Sequence, residues 1–298
     1  MLLEILARSI YTADATYGKK AAGFRASMAT IETLFLGSSH MERAINPEFL
    51  AKPAFNLSFK SQDHYYDLKI LESTLGRMKK LSAVIIGVDW FSLGFDEAKK
   101  VRSYTLNYYR EWGILPEKQG YKTFFYYSQF LTHRKSLLPD LLKKNSGFSI
   151  ESGRVDDARA IDPRNYTVTP DGFLYLNLHH PPKVLDNDAL KKVETHMSVN
   201  YDSAVILDNL ANLEAAAALC RKSGVKLLLV TPPYSSYYRK YFPEDVKAKF
   251  YRSLGYCQSI KHLDYSNSEA FSDDDFSDAD HLNAAGAKKF TEMIANDL

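Results

Sequence analysis

The chain has 298 residues, 45% of them hydrophobic, and its 38 basic and 36 acidic side chains leave a net charge of +2. That length can bury a full core as one large domain or one domain with a sizeable insertion. The near-neutral balance excludes the electrostatic footprint of a nucleic-acid binder.

Residues 1 to about 30 read as a helical lead-in of weak pattern. The first eight are too few and too interrupted to span a membrane. They also lack the basic start, apolar run and cleavage site of a signal peptide. As written, the chain reads as soluble, untargeted and without a membrane span. A chain trimmed of an N-terminal anchor or signal, and so extracytoplasmic or membrane-associated, reads the same way. A first strand is expected at 33–36, followed by a helix over 41–49 that Pro47 disturbs. A second short strand falls at 54–59. A helix follows over 61–80, with Tyr65, Leu68, Leu71, Leu75 and Met78 at helical spacing. The run 82–88 is the clearest buried strand. Three strands with intervening helices in under ninety residues predict βαβ units and a parallel sheet.

The rhythm breaks over about 91–200, which is rich in Tyr, Phe, Lys and Asp. A helix is expected near 125–144. The remainder, including Thr169-Pro170-Asp171-Gly172 and His179-His180-Pro181-Pro182, reads as turns and loops. This stretch is expected to be an insertion over the carboxyl ends of the strands. Order returns with a helix capped by Asp202 or Ser203, carrying Ile206, Leu210, Leu213, Ala217 and Cys220 as its apolar stripe and ending before Gly224. Strands at 225–230 and 260–265, a helix at 244–254 and a closing helix at about 284–297 complete the reading. Cys220 and Cys257 form neither a CxxC pair nor a metal cluster, and Cys220 reads as a buried free thiol. The 20 tyrosines and 17 phenylalanines suggest aromatic loops, which either line a carbohydrate or acyl groove or simply pack.

Two turns carry chemistry. Thr33-Leu34-Phe35-Leu36 runs into Gly37, and Ser38, Ser39 and His40 open a helix. A serine there sits on unpaired backbone N–H groups that can stabilise a developing oxyanion, although Ser38 and Ser39 also fit plain helix caps. At the other end of the chain, Asp278-Ala279-Asp280-His281-Leu282-Asn283 precedes the last helix. There Asp278, with Asp280 as its rival, can hold one imidazole nitrogen while the other faces outward as a base. In a doubly wound sheet both turns open onto the carboxyl edge of the strands. His40 fits either a pocket residue or a surface position. His179 and His180 with Asp171 or Asp186 form a weaker metal candidate. Tyr234, Tyr237 and Tyr238 stand near the same edge and fit either a sugar contact or loop packing. The Lys79-Lys80 and Lys99-Lys100 pairs read as solvated faces.

The order Gly37-Ser38-Ser39, Asn56-Leu57-Ser58, Gly87-Val88-Asp89 and Asp278-x-x-His281-Leu282-Asn283 resembles the SGNH (GDSL-type) hydrolases. The Gly-Ser-Ser-His start is most similar to a divergent branch found among surface-polysaccharide acylation proteins. The resemblance covers roughly 31–93 and 202–298. It implies a flavodoxin-like three-layer α/β sandwich of about five parallel strands, a single domain over 1–298 with the insertion at about 91–200. It further implies Ser39 as nucleophile, His281 as general base and acid, and Asp278 as its orienter. The backbone N–H groups of Ser39 and Ser58 would be oxyanion donors, with Asn56, Asp89 and His40 around the pocket. No metal or cofactor is implied. The substrate class is an acyl ester of a small molecule or glycan, cleaved by water or passed to a sugar hydroxyl. Three positions depart from the pattern: Ser38 stands where Gly-Asp-Ser has its aspartate, Ser58 replaces a glycine, and Asp89 replaces an asparagine that would donate to the oxyanion. A protonated Asp89, one that points away, and a different acceptor chemistry are all open at this level. The second expectation is a catalytically silent module of the same fold that binds a glycan or a partner protein.

Overall fold

The computed structural model describes residues 15–99, 103–117, 166–176, 186–198 and 202–298. Helix α1 (Ala15–Ser27) leads into β1 (Thr33–Leu36), α2 (Ser39–Ala44), β2 (Ala54–Asn56), α3 (His64–Thr74) and β3 (Ala83–Gly87). Then come α4 (Ser103–Trp112), a hairpin of β4 (Tyr166–Val168) and β5 (Leu174–Leu176), and α5 (Asp186–Met197). The chain closes with α6 (Ser203–Lys222), β6 (Lys226–Thr231), α7 (Ser236–Tyr241), α8 (Glu244–Leu254), β7 (Lys261–Asp264) and α9 (Ala284–Ala295).

The main sheet has five strands in the order β2-β1-β3-β6-β7, and every pairing is parallel. This is the flavodoxin-like 2-1-3-4-5 order, which reverses direction between β1 and β3. Side chains alternate across the pleat. Leu34, Leu36, Val84, Ile86 and Leu229 enter a core with α1, α3, α6 and α8, whereas Phe35, Ile85, Leu228 and Val230 enter a second core with α2 and α9. Three layers result because the central strands β1, β3 and β6 are apolar on both faces. Helix α6 is long and apolar enough to cross a membrane, yet its stripe from Ile206 to Cys220 is buried in the first core. Asp202 caps it by accepting from Ala204 N–H, and Gly224 ends it at φ +69°.

Several elements differ from the sequence expectation. Helix α2 stops at Ala44, and Pro47–Phe49 forms a separate 3₁₀ turn, because proline cannot supply the N–H that would continue the ladder. Regular pairing of β2 ends at Asn56, although Leu57 and Phe59 N–H still donate to Phe35 and Gly37 C=O. Helix α3 begins later than expected, at the Asp63 cap, and tightens into a 3₁₀ turn at Leu75–Arg77. Between 91 and 200, α4, α5 and the β4–β5 hairpin replace expected loops. Helix α5 buries only Ala189 and Val193, too few apolar positions to set a clear period. Helix α7 is six residues long and follows the Pro232-Pro233 turn closely. The expected helix at 125–144 and residues His179, His180 and Lys100 lie outside the described residues.

One glycine decides how β1 ends. Gly37 has φ +128°, and a Cβ there would lie 3.0 Å from Gly87 N and 3.1 Å from Gly87 Cα. Gly37→Ala therefore combines left-handed strain with backbone crowding and is expected to cost about 3 kcal/mol, read as a lower urea midpoint with an unchanged slope.

Candidate active site

The turn after β1 is built by two adjacent hydroxyls with different tasks. Ser38 is the cap of α2: its Oγ accepts from His40 N–H at 3.2 Å and donates to Asp89 Oδ2 at 2.7 Å. Ser39 is the first residue of the helix, and its Oγ lies 2.9 Å from Nε2 of His281. His281 comes from the loop between β7 and α9, 242 positions along the chain. That loop is closed by Ser277 N–H donating to His281 C=O at 2.8 Å, and Asp278 Oδ1 accepts from the N–H groups of Asp280 at 3.2 Å and His281 at 2.9 Å. The same carboxylate faces the imidazole: both its oxygens lie 2.9 Å from His281 Nδ1. Asn283 then caps α9 by accepting from Ala285 and Gly286 N–H, which fixes where the loop ends.

A carboxylate on Nδ1 assigns the ring proton there and leaves Nε2 as acceptor for the Ser39 hydroxyl. Burial alone would raise the Asp278 carboxyl, but the neighbouring His281 outweighs it and holds it below the usual range. Arg43 adds a contact of 3.3 Å to Asp278 Oδ2 and donates to Tyr166 OH of the hairpin at 3.0 Å. Asp280 stands beside this set with Oδ1 3.1 Å from His281 Nδ1, so both candidate orienters border the same nitrogen.

Behind Ser39 lies a buried charged layer. His40 Nδ1 is 2.7 Å from Asp89 Oδ1, and its Nε2 is 2.8 Å from Asp280 Oδ2. Tyr234 OH donates to Asp89 Oδ1 at 3.2 Å, and Lys192 Nζ of α5 lies 3.4 Å from Asp280 Oδ1. Burial opposes charge on His40, but Asp89 and Asp280 prevail and push its pKa up to about 10. The two carboxyls are held low in turn, against the opposing effect of burial: Asp89 chiefly by His40, Asp280 chiefly by His281 and Lys192. Held low in this way, Asp89 is turned into this layer as the acceptor for Ser38 and Tyr234 beside His40. His196 is pushed down to about 3 by burial, so its ring is neutral, and its Nδ1 lies 2.6 Å from Tyr238 OH.

This layer predicts an alkaline stability decline. The folded His40 pKa of about 10 lies above its ordinary value of 6.5, so its contribution is complete below pH 6.5 and is lost as pH rises toward 10. The buried thiols Cys220 and Cys257, raised to about 11 and about 12, enter only above their ordinary range near pH 8.5. Between pH 7 and 8.5 the unfolding free energy should fall by about 1.4 kcal/mol per pH unit, measured by urea denaturation at each pH. A flat profile would contradict a charged His40.

The other expected pocket residues are placed differently from their sequence reading. Asn56 does not face Ser39; its Nδ2 donates to the C=O groups of Met41, Glu42 and Ile45 at 3.0, 3.3 and 2.8 Å and closes the end of α2. Its Oδ1 accepts from Ser58 N–H at 3.1 Å, so the N–H expected to serve an oxyanion is already donated. His40 is buried, not a surface residue. Tyr234 and Tyr238 are buried in an aromatic group with Trp90 and Phe242, the packing alternative of their two readings. Lys79 and Lys80 are exposed as expected, but Lys99 pairs with Asp208. Sequence reasoning missed Lys192 and His196, which share a face of α5 four residues apart. It also missed Lys20, a buried ammonium bonded to Glu42 Oε1 at 2.9 Å and Ser58 C=O at 2.5 Å.

No protein-family model matches this chain, and no curated protein matches it. Solved structures similar to it include a GDSL-like lipase from Bacteroides thetaiotaomicron, 10% identical over 94% of this chain and 97% of that one, with a TM-score of 0.42. A proposed acylhydrolase from Bacteroides fragilis is 12% identical over 96% of this chain and 99% of that one, also at 0.42. A proposed platelet activating factor from Streptococcus pneumonia is 11% identical over 99% and 96%, again at 0.42.

Proposed function

We propose that this chain is a serine-dependent hydrolase or O-acyltransferase of the SGNH type, acting on acyl esters of a carbohydrate or cell-surface polysaccharide. The observation that carries the reading is the continuous contact from Ser39 Oγ to His281 Nε2 at 2.9 Å and from His281 Nδ1 to Asp278 at 2.9 Å. In the first step Ser39 Oγ bonds to the acyl carbonyl carbon as its proton passes to Nε2. The carbonyl electron pair moves onto oxygen. Ser39 N–H, which heads α2 and has no acceptor among the described residues, is the donor placed for that oxygen. Collapse breaks the bond to the alcohol, which leaves with the proton from Nε2, and an acyl ester remains on Ser39. Water or a sugar hydroxyl then attacks with His281 again as base. Asp278 holds Nδ1–H throughout and stabilises the imidazolium as it forms. The glycan part of the reading rests on the likeness of Gly37-Ser38-Ser39-His40 to the acylation branch.

The second reading, a silent module binding a glycan or partner protein, is favoured by the two weakened oxyanion positions: Ser58 N–H is donated to Asn56, and Asp89 is an anion. A fluorophosphonate probe separates the two. The enzyme should take one label per chain, located on the Ser39 peptide by mass spectrometry. A chain that stays unlabelled would sink the enzymatic reading in favour of the silent one.

A further inference from the structure

His40 was expected to be a pocket or surface residue, but its ring is 1% exposed and each of its nitrogens faces a carboxylate. Asp89 lies 2.7 Å from one and Asp280 2.8 Å from the other. In a neutral ring one of these contacts would set a lone pair against an anion, so the geometry requires a proton on each nitrogen. The ring also meets His281 edge to face, with centroids 5.1 Å apart at 89°. Asp280 Oδ1 is buried without a hydrogen bond, although it stands 3.1 Å from the His281 Nδ1 that Asp278 occupies. A second carboxylate is therefore poised against the proposed base, and the His40 cation sits between that carboxylate and Asp89.

We propose that His40 is a positioning residue of this site: bridging Asp89 and Asp280, it ties down Asp280 Oδ2 and offsets that carboxylate's charge at His281, where Asp278 takes the Nδ1 proton. The inference rests on the proposed Ser39–His281 chemistry for its importance, but its geometry stands without turnover. The groups facing His40 and His281 are Asp89 after β3, Asp278 and Asp280 before α9, Lys192 and His196 on α5, Tyr234 after β6 and Tyr238 on α7. Removing the His40 charge leaves the two carboxylates at His281 opposed by Lys192 beside Asp280 and by Arg43 beside Asp278, a net change that favours the imidazolium. The titration of His281 in the variant then moves to higher pH than in the wild type. A like charge at this separation commonly shifts a titration by about one pH unit.

A ring nitrogen each of His40 and His196 and an oxygen of Asp280 also lie within 4.8 Å of one another, a set that resembles a metal site. The reading with a proton is preferred because both nitrogens of His40 are already hydrogen-bonded to carboxylates and the Lys192 ammonium stands beside Asp280.

The test is nitrogen-15 NMR of the histidine rings in the full chain, titrated from pH 5 to 9, with aryl-ester turnover followed alongside. In the wild type, His40 should keep two ring N–H signals through pH 8. In His40→Gln the His281 midpoint should rise by about one pH unit, and His40→Gln with Asp280→Asn should bring it back. Asp280→Asn alone should lower it, which keeps the proposal testable where His40→Gln fails to fold. An unmoved His281 midpoint, or a shift that Asp280→Asn does not reverse, overturns the proposal. So does zinc alone shifting the His40 and His196 signals together, which would assign the cluster to a metal. Absent turnover with the expected midpoints would instead count against the esterase reading and leave the positioning role standing.

Discussion

Ser39→Ala is expected to lower ester turnover by on the order of 10³-fold or more while leaving the fold almost unchanged. The two halves of that expectation come from different neighbours of the same atom. Ser39 Oγ contacts His281, so its removal eliminates the group proposed to form the covalent bond. Ser38 keeps the helix cap and the bond to Asp89, so the loss of stability should stay within about 0.5 kcal/mol. Ser38→Ala should behave in the opposite way. It deletes the cap, worth about 1 kcal/mol, and strips a hydrogen bond from a buried carboxylate. His281→Ala should cost as much turnover as Ser39→Ala, and the double variant no more than either, since the pair acts as a unit. The measurement is aryl-ester turnover beside urea denaturation for each variant. Equal turnover in wild type and Ser39→Ala would remove Ser39 from the chemistry.

The two ends of this arrangement are legible in sequence because their signals are local. A short apolar run that halts at Gly37 marks a buried strand meeting a helix, and Asp278-x-x-His281 before the Asn283 cap marks a turn that can bring carboxylate and imidazole together. The parallel sheet follows from its apolar runs, and its order places both turns at the same edge. Other features depend on what packs against them. His40 sits in the first turn of a short helix, where its face is decided by Asp280 and by rings from α5 and α7. Helix α5 has too few buried apolar residues to be read as a helix, so Lys192 and His196 cannot be linked to the site from their spacing. Asn56 resembles a pocket residue by its position after a strand. Its amide instead meets three carbonyls at the end of α2, because that helix ends with acceptors unpaired.

Asp89→Asn is the sharpest case, because family pattern and geometry give opposite expectations. By resemblance, asparagine restores an oxyanion donor, and such a donor is worth on the order of 10²–10³ in rate. By geometry, the side chain at position 89 is turned inward: Oδ2 accepts from Ser38 Oγ, and Oδ1 accepts from Tyr234 OH and faces His40 Nδ1. Its backbone is held as well, since Asp89 N–H donates to Ser92 Oγ at 2.9 Å and Asp89 C=O accepts from that hydroxyl at 3.0 Å. An amide can satisfy the same contacts only with its oxygen toward His40 and its nitrogen toward Ser38, an orientation that aims no donor past Ser39. What it removes is one of the two anions around a buried imidazolium. Breaking a buried pair in this way costs about 3 kcal/mol. The expected result is a lower urea midpoint, a shallower decline of stability between pH 7 and 8.5, and no gain in ester turnover. A rise of tenfold or more would mean that the side chain at position 89 reaches the acyl oxygen after all, and that the charged layer behind Ser39 has a different purpose.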